Sequence, residues 1–306
     1  MLRIIRLQNL LIAILTAYLS HWIIKIFIVT FGDQPELSGW NMILFLLALG
    51  MLMAGGFIIN NILDIETDTV NSPQRVIVMQ NLGHKALQNI YIWLLILGTL
   101  LSIYVSYRLQ RPYLAIIYPV FYWLLYIYSR YLKGIPLMGN LVVAFMCAVV
   151  PFLLLLAEWP VIASIKENAG EAYTYLIKLL TGMTLFAFMI TISREIIKDM
   201  EDVEGDEAAG YKTLPVLYGL AMSQMVVGIL MLLLLLLIAL WTYFMFMYLS
   251  TWNMLLALLP LTIIAFIVTL KVLNAKGKED YFICSQLMKI MMLVGMLHFY
   301  FLTIQF

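Results

Sequence analysis

The chain has 306 residues, of which 64% are hydrophobic and only 11% are charged, and its formal net charge is +1. Soluble domains carry about 25% charged residues, so this composition excludes a soluble globular protein and indicates an integral membrane protein in contact with the lipid bilayer. The nearly balanced charge gives no reason to expect a nucleic acid as a partner.

Nine apolar segments are long enough to cross a bilayer as helices, which takes about 20 residues. The first is too long for the apolar core of a signal peptide, so we expect a transmembrane helix there. An alternative with eight spans places one segment at the membrane interface. Pro119, Pro151 and Pro260 fall inside predicted spans and are expected to kink them. The nine spans cover residues 10–31, 42–62, 86–107, 113–131, 137–157, 175–192, 216–247, 252–270 and 282–304.

Lysine and arginine fall unevenly on the two sides of the predicted membrane. Thirteen of the eighteen lie on one side and five on the other. Because loops rich in these residues stay in the cytoplasm, the richer side is predicted to be cytoplasmic. The thirteen are Arg3, Arg6, Arg75, Lys85, Arg130, Lys133, Arg194, Lys198, Lys212, Lys271, Lys276, Lys278 and Lys289, and the five are Lys25, Arg108, Arg111, Lys166 and Lys178.

Two short acidic stretches, at residues 60–68 and 195–207, hold ten of the seventeen carboxylates. Acidic groups at membrane depth are costly and indicate a function. The stretches follow the second and the sixth predicted span, so both emerge on the predicted cytoplasmic side and can meet across one cavity. A solvated loop at a helix end is the ordinary explanation of such a run, and it accounts for Glu201, Glu204 and Glu207.

The aspartates of both stretches recur at helical spacing. Asn60, Asp64 and Asp68 are four residues apart, so they are expected to share one face of a helix. Oxygen ligands without a nearby histidine or cysteine favour magnesium, manganese or calcium over zinc or copper. Magnesium takes one or two carboxylates and completes its shell with water and phosphate oxygens. We therefore expect the two stretches to hold metal ions that bind a diphosphate; the second supplies Asp199, Asp202 and Asp206 at spacings of three and four.

Cationic side chains accompany both acidic stretches. Arg75 follows the first stretch, Arg194 and Lys198 lie within the second, and Lys212 comes after it. Such groups suit diphosphate oxygens and the charge that grows on a departing diphosphate. Compensation of local acids and the cytoplasmic excess of positive charge are the alternative explanations, above all for Lys198 and Lys85.

These motifs resemble the signatures of the UbiA superfamily of intramembrane prenyltransferases. Asn-Asn-x-x-Asp-x-x-x-Asp at residues 60–68 and Asn-x-Pro-x-Arg at 71–75 match the first signature. Asp-Met-Glu-Asp-Val-Glu-Gly-Asp at 199–206, followed by Gly-Tyr-Lys-Thr-Leu-Pro at 210–215, matches the second. Further similarity lies at 6–9, 128–133 and 139–140, so the matches run in order along most of the chain.

The resemblance implies an all-α, polytopic bundle of about nine transmembrane helices around a central cavity, formed by one domain over residues 1–306. It also implies Mg²⁺ held by both aspartate motifs and a polyprenyl diphosphate as donor. The implied metal ligands are Asp64, Asp68, Asp199, Asp202 and Asp206, of which all but Asp199 are also the predicted catalytic residues. The implied substrate-binding residues are Asn60, Arg75, Lys198, Lys212, Tyr128, Lys133, Asn140 and Asn9.

Within the family, Arg-Glu-x-x-Lys-Asp and Asp-Val-Glu-Gly-Asp at residues 194–206 are most similar to members that prenylate a lipophilic acceptor, a prenylated glycerol phosphate. The transferred group implied by this similarity is geranylgeranyl. The sequence departs from the family pattern at Ser72, Val76 and Asn61, where arginine, proline and aspartate are usual. Tyr128 and Tyr122 are the candidates for stabilising an allylic cation with their rings.

Two other functions stay open as alternatives, and a third lacks its motif. The nearest is transfer to an aromatic acceptor, such as a quinone precursor. A cation transporter is more remote, because transporters keep their binding groups near the membrane midplane, whereas these acids fall at span ends. A CDP-alcohol phosphotransferase would need an Asp-Gly-x-x-Ala-Arg run, which the sequence lacks.

Overall fold

The computed structural model describes the backbone of residues 4–249 and 252–303, and the side chains of residues 4–244 and 258–301. The regular elements of this part of the chain are all helical. They are α1 (Leu7–Thr30), α2 (Trp40–Leu63), α3 (Ile65–Asn71), α4 (Pro73–Leu82), α5 (His84–Arg108), α6 (Pro112–Ile127), a π-helical turn (Tyr128–Leu132), α7 (Met138–Ala148), α8 (Val150–Ala157), α9 (Trp159–Ala169), α10 (Glu171–Glu201), α11 (Val203–Ala208), α12 (Leu214–Leu249), α13 (Trp252–Leu273) and α14 (Lys278–Thr303).

Each predicted span coincides with one long helix or with two consecutive elements. The fourth span is α6 together with the π-helical turn, and the fifth is α7 together with α8. Among the described residues, eight of these segments are long and apolar enough to cross a membrane. The eighth predicted span is α13, whose part with described side chains, Leu258–Leu273, is a shorter apolar helix. The all-α, polytopic fold is therefore confirmed.

Helix α10 is buried along much of its length and contacts α7, α12 and α14. Its buried residues Leu176, Leu179, Leu180 and Met183 recur at spacings of three and four, which places them on one side of the helix. Gly182 allows close approach of α12, since a Cβ at this position would lie 2.5 Å from the Trp241 ring. The central position of α10 fixes where the second acidic stretch leaves the bundle.

The three prolines have different effects on the helices. The fifth span is divided at Val149, and Pro151 lies in the first turn of α8, where its missing N–H costs no intrahelical hydrogen bond. By contrast, α6 and α13 continue through Pro119 and Pro260.

At the end of the bundle where α8 meets α9, a buried carboxylate ties three segments together. Glu158 is 0% exposed. It accepts hydrogen bonds from the backbone N–H groups of Glu36 at 3.0 Å and Leu37 at 2.8 Å, and lies 3.3 Å from Nε2 of His21. Because a buried carboxylate is tolerated only when it is paired and hydrogen-bonded, these contacts account for its position.

Candidate active site

Each aspartate motif lies where a helix is interrupted at a single residue. Asp64 separates α2 from α3 with φ −97° and ψ 16°, and Asp202 separates α10 from α11 with φ −98° and ψ 7°. Both backbone N–H groups still donate to the carbonyl four residues earlier, at 2.9 Å. The spacing alone predicted uninterrupted helical faces. The structure instead places a bend at the central aspartate of each motif.

The two motifs meet through the side chain of Asn71 at the end of α3. Its Nδ2 donates to the backbone carbonyl of Asp202 at 2.9 Å, across 131 residues of sequence. Its Oδ1 accepts the backbone N–H of Gly205 at 3.3 Å. A Cβ at position 205 would overlap this amide, so glycine leaves the space that the Asn71 side chain occupies. The acidic stretches thus lie at the same end of the bundle, as the even-numbered spans predicted.

Asp64 is the most extensively paired carboxylate of the first motif. It is 2% exposed and forms an ion pair with Lys133, which follows the π-helical turn. It also accepts hydrogen bonds from Nδ2 of Asn60 at 2.6 Å and from the hydroxyl of Tyr211 at 3.2 Å. Residues from three separate parts of the chain therefore meet at this carboxylate.

The other carboxylates have fewer partners. Asp68 forms an ion pair with Arg75 at 3.0 Å. Asp202 forms an ion pair with Lys198, one turn earlier on α10. The other two motif aspartates lack an ion pair within 4 Å in the described chain. Asp199 accepts a hydrogen bond from Nδ2 of Asn140 at 2.8 Å, and Asp206 is 2% exposed.

Two of these acids lie outside the membrane-spanning segments and differ in pKa. Burial raises the pKa of Asp206 to about 6. Burial also acts to raise the pKa of Asp202, but the adjacent Lys198 ammonium outweighs it and leaves this pKa below its ordinary value. Burial, together with the Asp64 carboxylate, raises the pKa of Tyr211 to about 12, so its hydroxyl is a neutral hydrogen-bond donor.

A largely apolar cavity of about 310 Å³ extends into the bundle beside the first motif. Its walls come from α1, α2, α5, α6, α7, α8, α10 and α14. Asn60 lines the cavity, and its side chain donates a hydrogen bond to Asp64. It therefore connects the cavity wall to the first motif. The wall contains the tyrosines Tyr118 and Tyr128, and its charged and amide-bearing residues are Arg6, Asn9, Asn60, Arg194, Glu195 and Lys289.

The structure brings most of the predicted site residues together. Asn9, Asn60 and Tyr128 line the cavity, and the remaining predicted residues surround the aspartates, apart from Lys212. The Lys212 side chain is exposed and makes no ion pair within the described chain. Tyr122 does not line the cavity; its hydroxyl donates to the carbonyl of Tyr91 at 2.9 Å.

Sequence reasoning assigned no site role to Asn71, Tyr211, Glu195 or Lys289. The first two lie inside the signature segments, where their polar side chains beside the aspartates were the available signal. Lys289 is a lone cation within the last apolar span, and Glu195 is one helical turn before Asp199. A charged residue at such depth is a sign of function.

The aspartates suit a hard divalent metal by their chemistry, although they do not form one compact cluster. Within the described residues, no group of three or more His, Cys, Asp or Glu side chains could hold a metal ion. Magnesium needs only one or two carboxylates when phosphate oxygens and water complete its shell. The buried Oδ1 of Asn60 has no hydrogen-bond partner in the described chain and lies beside Asp64. The residues therefore fit a metal that is bound together with a diphosphate.

Comparison of the sequence identifies a family and several relatives. Residues 10–293 match the UbiA prenyltransferase family. Digeranylgeranylglyceryl phosphate synthase of Thermococcus kodakarensis is 34% identical over 192 residues, which are 63% of this chain and 61% of that protein. The synthase of the same name from Saccharolobus solfataricus is 29% identical over 300 residues, 98% of this chain and 97% of that one. The chain spans only 61% of the T. kodakarensis synthase and 60% of the synthase of the same name from Methanobrevibacter smithii.

Solved structures share the fold of this chain. A structure of digeranylgeranylglyceryl phosphate synthase in membranes has a TM-score of 0.68 at 24% identity, covering 100% of this chain and 98% of that one. A UbiA homolog from Archaeoglobus fulgidus, bound to GPP and Mg²⁺, has a TM-score of 0.61 at 17% identity, covering 97% and 98%. The likeness of these structures concerns the fold, whereas the sequence match extends over most of the chain. The protein is therefore a member of the UbiA prenyltransferase family.

Proposed function

We propose that the protein is an intramembrane prenyltransferase that moves a geranylgeranyl group from its diphosphate to a prenylated glycerol phosphate. One observation carries this proposal: Asn71 joins the two aspartate motifs beside an apolar cavity. A diphosphate head and a long hydrocarbon tail need these two environments side by side. Relatives named digeranylgeranylglyceryl phosphate synthase support the choice of group and acceptor. We take residues 1–306 as one catalytic domain.

In this proposal, Mg²⁺ would be held by Asp64 and Asp68 on one side and by the second motif on the other. The metal would supply Lewis-acid polarisation of the diphosphate when bound. The oxygen-only donor set supports magnesium. The A. fulgidus homolog bound to GPP and Mg²⁺ supports the same pairing of metal and prenyl diphosphate. The ligands of the second motif would be Asp199, Asp202 and Asp206.

The lysine and arginine side chains next to the aspartates would contact the diphosphate. Lys133, Lys198 and Arg75 each form an ion pair with a motif aspartate, so each is near a diphosphate bound there. Their charges oppose the negative charge that develops as the carbon–oxygen bond breaks. The electron pair of that bond leaves with the diphosphate, and an allylic cation stays in the cavity.

The apolar cavity would protect this cation. Its walls hold the prenyl tail and keep out water, which would otherwise hydrolyse the cation. The Tyr128 ring lies at the wall and stabilises positive charge by its negative face. The hydroxyl oxygen of the acceptor then forms the new carbon–oxygen bond, and its proton passes to the released diphosphate. We place this reaction at the cytoplasmic side, because thirteen of the eighteen lysines and arginines are predicted to lie there.

Product analysis tests this function directly. Purified protein in lipid nanodiscs is incubated with geranylgeranyl diphosphate, Mg²⁺ and one acceptor at a time: geranylgeranylglyceryl phosphate, hydroxybenzoate or homogentisate. We expect mass spectrometry to detect the digeranylgeranylglyceryl phosphate alone, and excess EDTA to abolish its formation. Detection of a prenylated aromatic product would show that the acceptor is aromatic and not a glycerol phosphate. Full turnover in EDTA would contradict the metal requirement.

A further inference from the structure

We propose that Arg6, Arg194 and Lys289 form a second anion site within the cavity, which binds the phosphate group of the acceptor. This inference rests on the proposed function for the identity of the acceptor. The residues come from three different places: Arg6 precedes α1, Arg194 lies on α10, and Lys289 lies on α14. All three line the same cavity.

Lys289 lies within electrostatic reach of both other cations. Both Arg6 and Arg194 act electrostatically on Lys289. Like charges repel strongly beside an apolar cavity, where the effective dielectric constant is far below that of water. An anion between them would turn this repulsion into attraction.

Within the described chain, only one of the three cations has a carboxylate partner. Nη1 of Arg194 lies 2.5 Å from Oε1 of Glu195. Nζ of Lys289 reaches only the neutral amide oxygens of Gln8 at 3.3 Å and Gln286 at 3.4 Å. Arg6, the remaining cation, lies over an aromatic ring, that of Phe57, 5.4 Å from its centroid.

The charge that these contacts leave at the cavity suits a phosphate monoester. Three cations and the Glu195 carboxylate leave two positive charges. A phosphate monoester carries about −1.5 to −2 at neutral pH. A carboxylate, the anionic group of an aromatic acceptor, would neutralise only one charge.

Buried nitrogen atoms give a second, independent indication of a ligand. The Arg194 side chain is 9% exposed, and its Nε is buried without a hydrogen-bond partner in the described chain. Nε of Arg6 is likewise buried and has no hydrogen-bond partner among the described residues. A buried N–H without an acceptor is costly, and both residues belong to the cavity wall, so the acceptor is expected to come from a bound molecule.

The second anion site is separate from the aspartate motifs. The motif aspartate nearest to Arg194 along α10 is Asp199, five residues later, which corresponds to about 7.5 Å along a helix axis. None of the five motif aspartates lines the cavity, whereas all three cations do. The donor diphosphate and the acceptor phosphate are thus bound at different positions along α10, and the two lipids can occupy the protein together.

A binding measurement without donor or metal isolates this site. Equilibrium binding of geranylgeranylglyceryl phosphate and of its phosphate-free alcohol is measured in nanodiscs with EDTA. We expect Lys289→Gln and Arg194→Gln to weaken binding of the phosphate lipid by about 10- to 100-fold, the range of a charge-assisted hydrogen bond, and to leave binding of the alcohol unchanged. The charge-preserving Lys289→Arg should bind the phosphate lipid nearly as well as the unsubstituted protein.

Two exposed cations provide matched controls: Arg108→Gln and Lys271→Gln should leave both affinities unchanged. In the transfer assay, Lys289→Gln should raise the KM for the acceptor and leave the KM for geranylgeranyl diphosphate unaltered. A raised donor KM with an unaltered acceptor KM would overturn the inference, as would equal losses for phosphate lipid and alcohol.

The failure of this inference and the failure of the proposed function have different signatures. If the unsubstituted protein transfers no prenyl group but binds the phosphate lipid in a Lys289-dependent manner, the anion site stands and the reaction is wrong. If transfer proceeds and Lys289→Gln binds the phosphate lipid as well as the unsubstituted protein, the reaction stands and the anion site is wrong.

Discussion

The two aspartate motifs have the same backbone arrangement but differ in how their central carboxylates are neutralised. Both Asp64 and Asp202 occupy a single non-helical position between a long helix and a short one. Asp202 is paired with Lys198, four residues earlier on the same helix. Asp64 is paired with Lys133, 69 residues away, and accepts a hydrogen bond from Tyr211, 147 residues away.

This difference shows that one half of the site is local and the other depends on the assembled bundle. The pairing of Asp202 follows from helix geometry alone, because residues four apart are neighbours on a helix. The pairing of Asp64 requires that the π-helical turn and the loop after α11 have reached their final positions. Asn71 connects the halves, so substitutions at the three places should separate their contributions.

The largest effects are expected from Asp64→Asn and Asp202→Asn. Each removes a charged oxygen ligand that the proposed metal needs, and we expect a loss of transfer of at least about 100-fold, the upper range for changes around a metal site. The rate is measured with saturating donor and acceptor over a series of Mg²⁺ concentrations. Because Asp64 has more partners and is more deeply buried, Asp64→Asn should also melt at a lower temperature than Asp202→Asn.

Glu204→Gln is the matched control for both substitutions, since Glu204 is an exposed acid of the same segment. Its rate and its Mg²⁺ dependence should equal those of the unsubstituted protein. Normal turnover by Asp64→Asn would show that the first motif is not a metal ligand.

Asn71→Ala should have an intermediate effect, because it removes the two hydrogen bonds that join the motifs. If the two hydrogen bonds contribute about 1.4 kcal/mol to holding the motifs in position, their loss corresponds to a roughly tenfold lower affinity for Mg²⁺ in the presence of donor. The Mg²⁺ concentration at half-maximal rate measures this change. Asn81→Ala, at an exposed position of α4, is the control and should not alter it.

Gly205→Ala tests the same contact from the other side. Alanine normally stabilises a helix relative to glycine, but here its Cβ would overlap the Asn71 amide. We expect a similar loss of Mg²⁺ affinity, and the double substitution Asn71→Ala with Gly205→Ala should cost less than the sum of the two single ones. Additive losses would mean that the two residues act independently.

Tyr211→Phe is expected to have the smallest effect. It removes one hydrogen bond to Asp64, of 3.2 Å, and keeps the ring that lies beside the Lys133 ammonium. About 1 kcal/mol for this bond corresponds to a roughly fivefold slower transfer. Single-turnover rates measure the change, and a loss as large as that of Asp64→Asn would give the hydroxyl a more direct part in the reaction.

The sequence predicted the helices well because their signal is local. A window of about 20 apolar residues identifies a span without knowledge of its neighbours. The interruptions at Asp64 and Asp202 were not predicted, because a spacing of four residues is equally compatible with a continuous helix. The short helices α4 and α9 were also missed, since they lie outside the apolar segments and depend on packing against the bundle.

The site was predictable as a set of residue types and not as a set of contacts. The acidic stretches and their emergence at one end followed from composition and from the number of spans between them. The bridging role of Asn71 and the exposure of Lys212 did not, although both residues lie in the signature segments. Which polar side chain turns toward a neighbouring helix is decided by the packing of that helix.

By itself, the amino-acid sequence determined that this protein is a membrane-embedded helical bundle with two acidic motifs at one end, because apolar length and helical spacing act over short distances. Only the tertiary structure decided which groups face those motifs and that Arg6, Arg194 and Lys289 line one cavity. These residues are distant in sequence, and their approach depends on how whole helices pack.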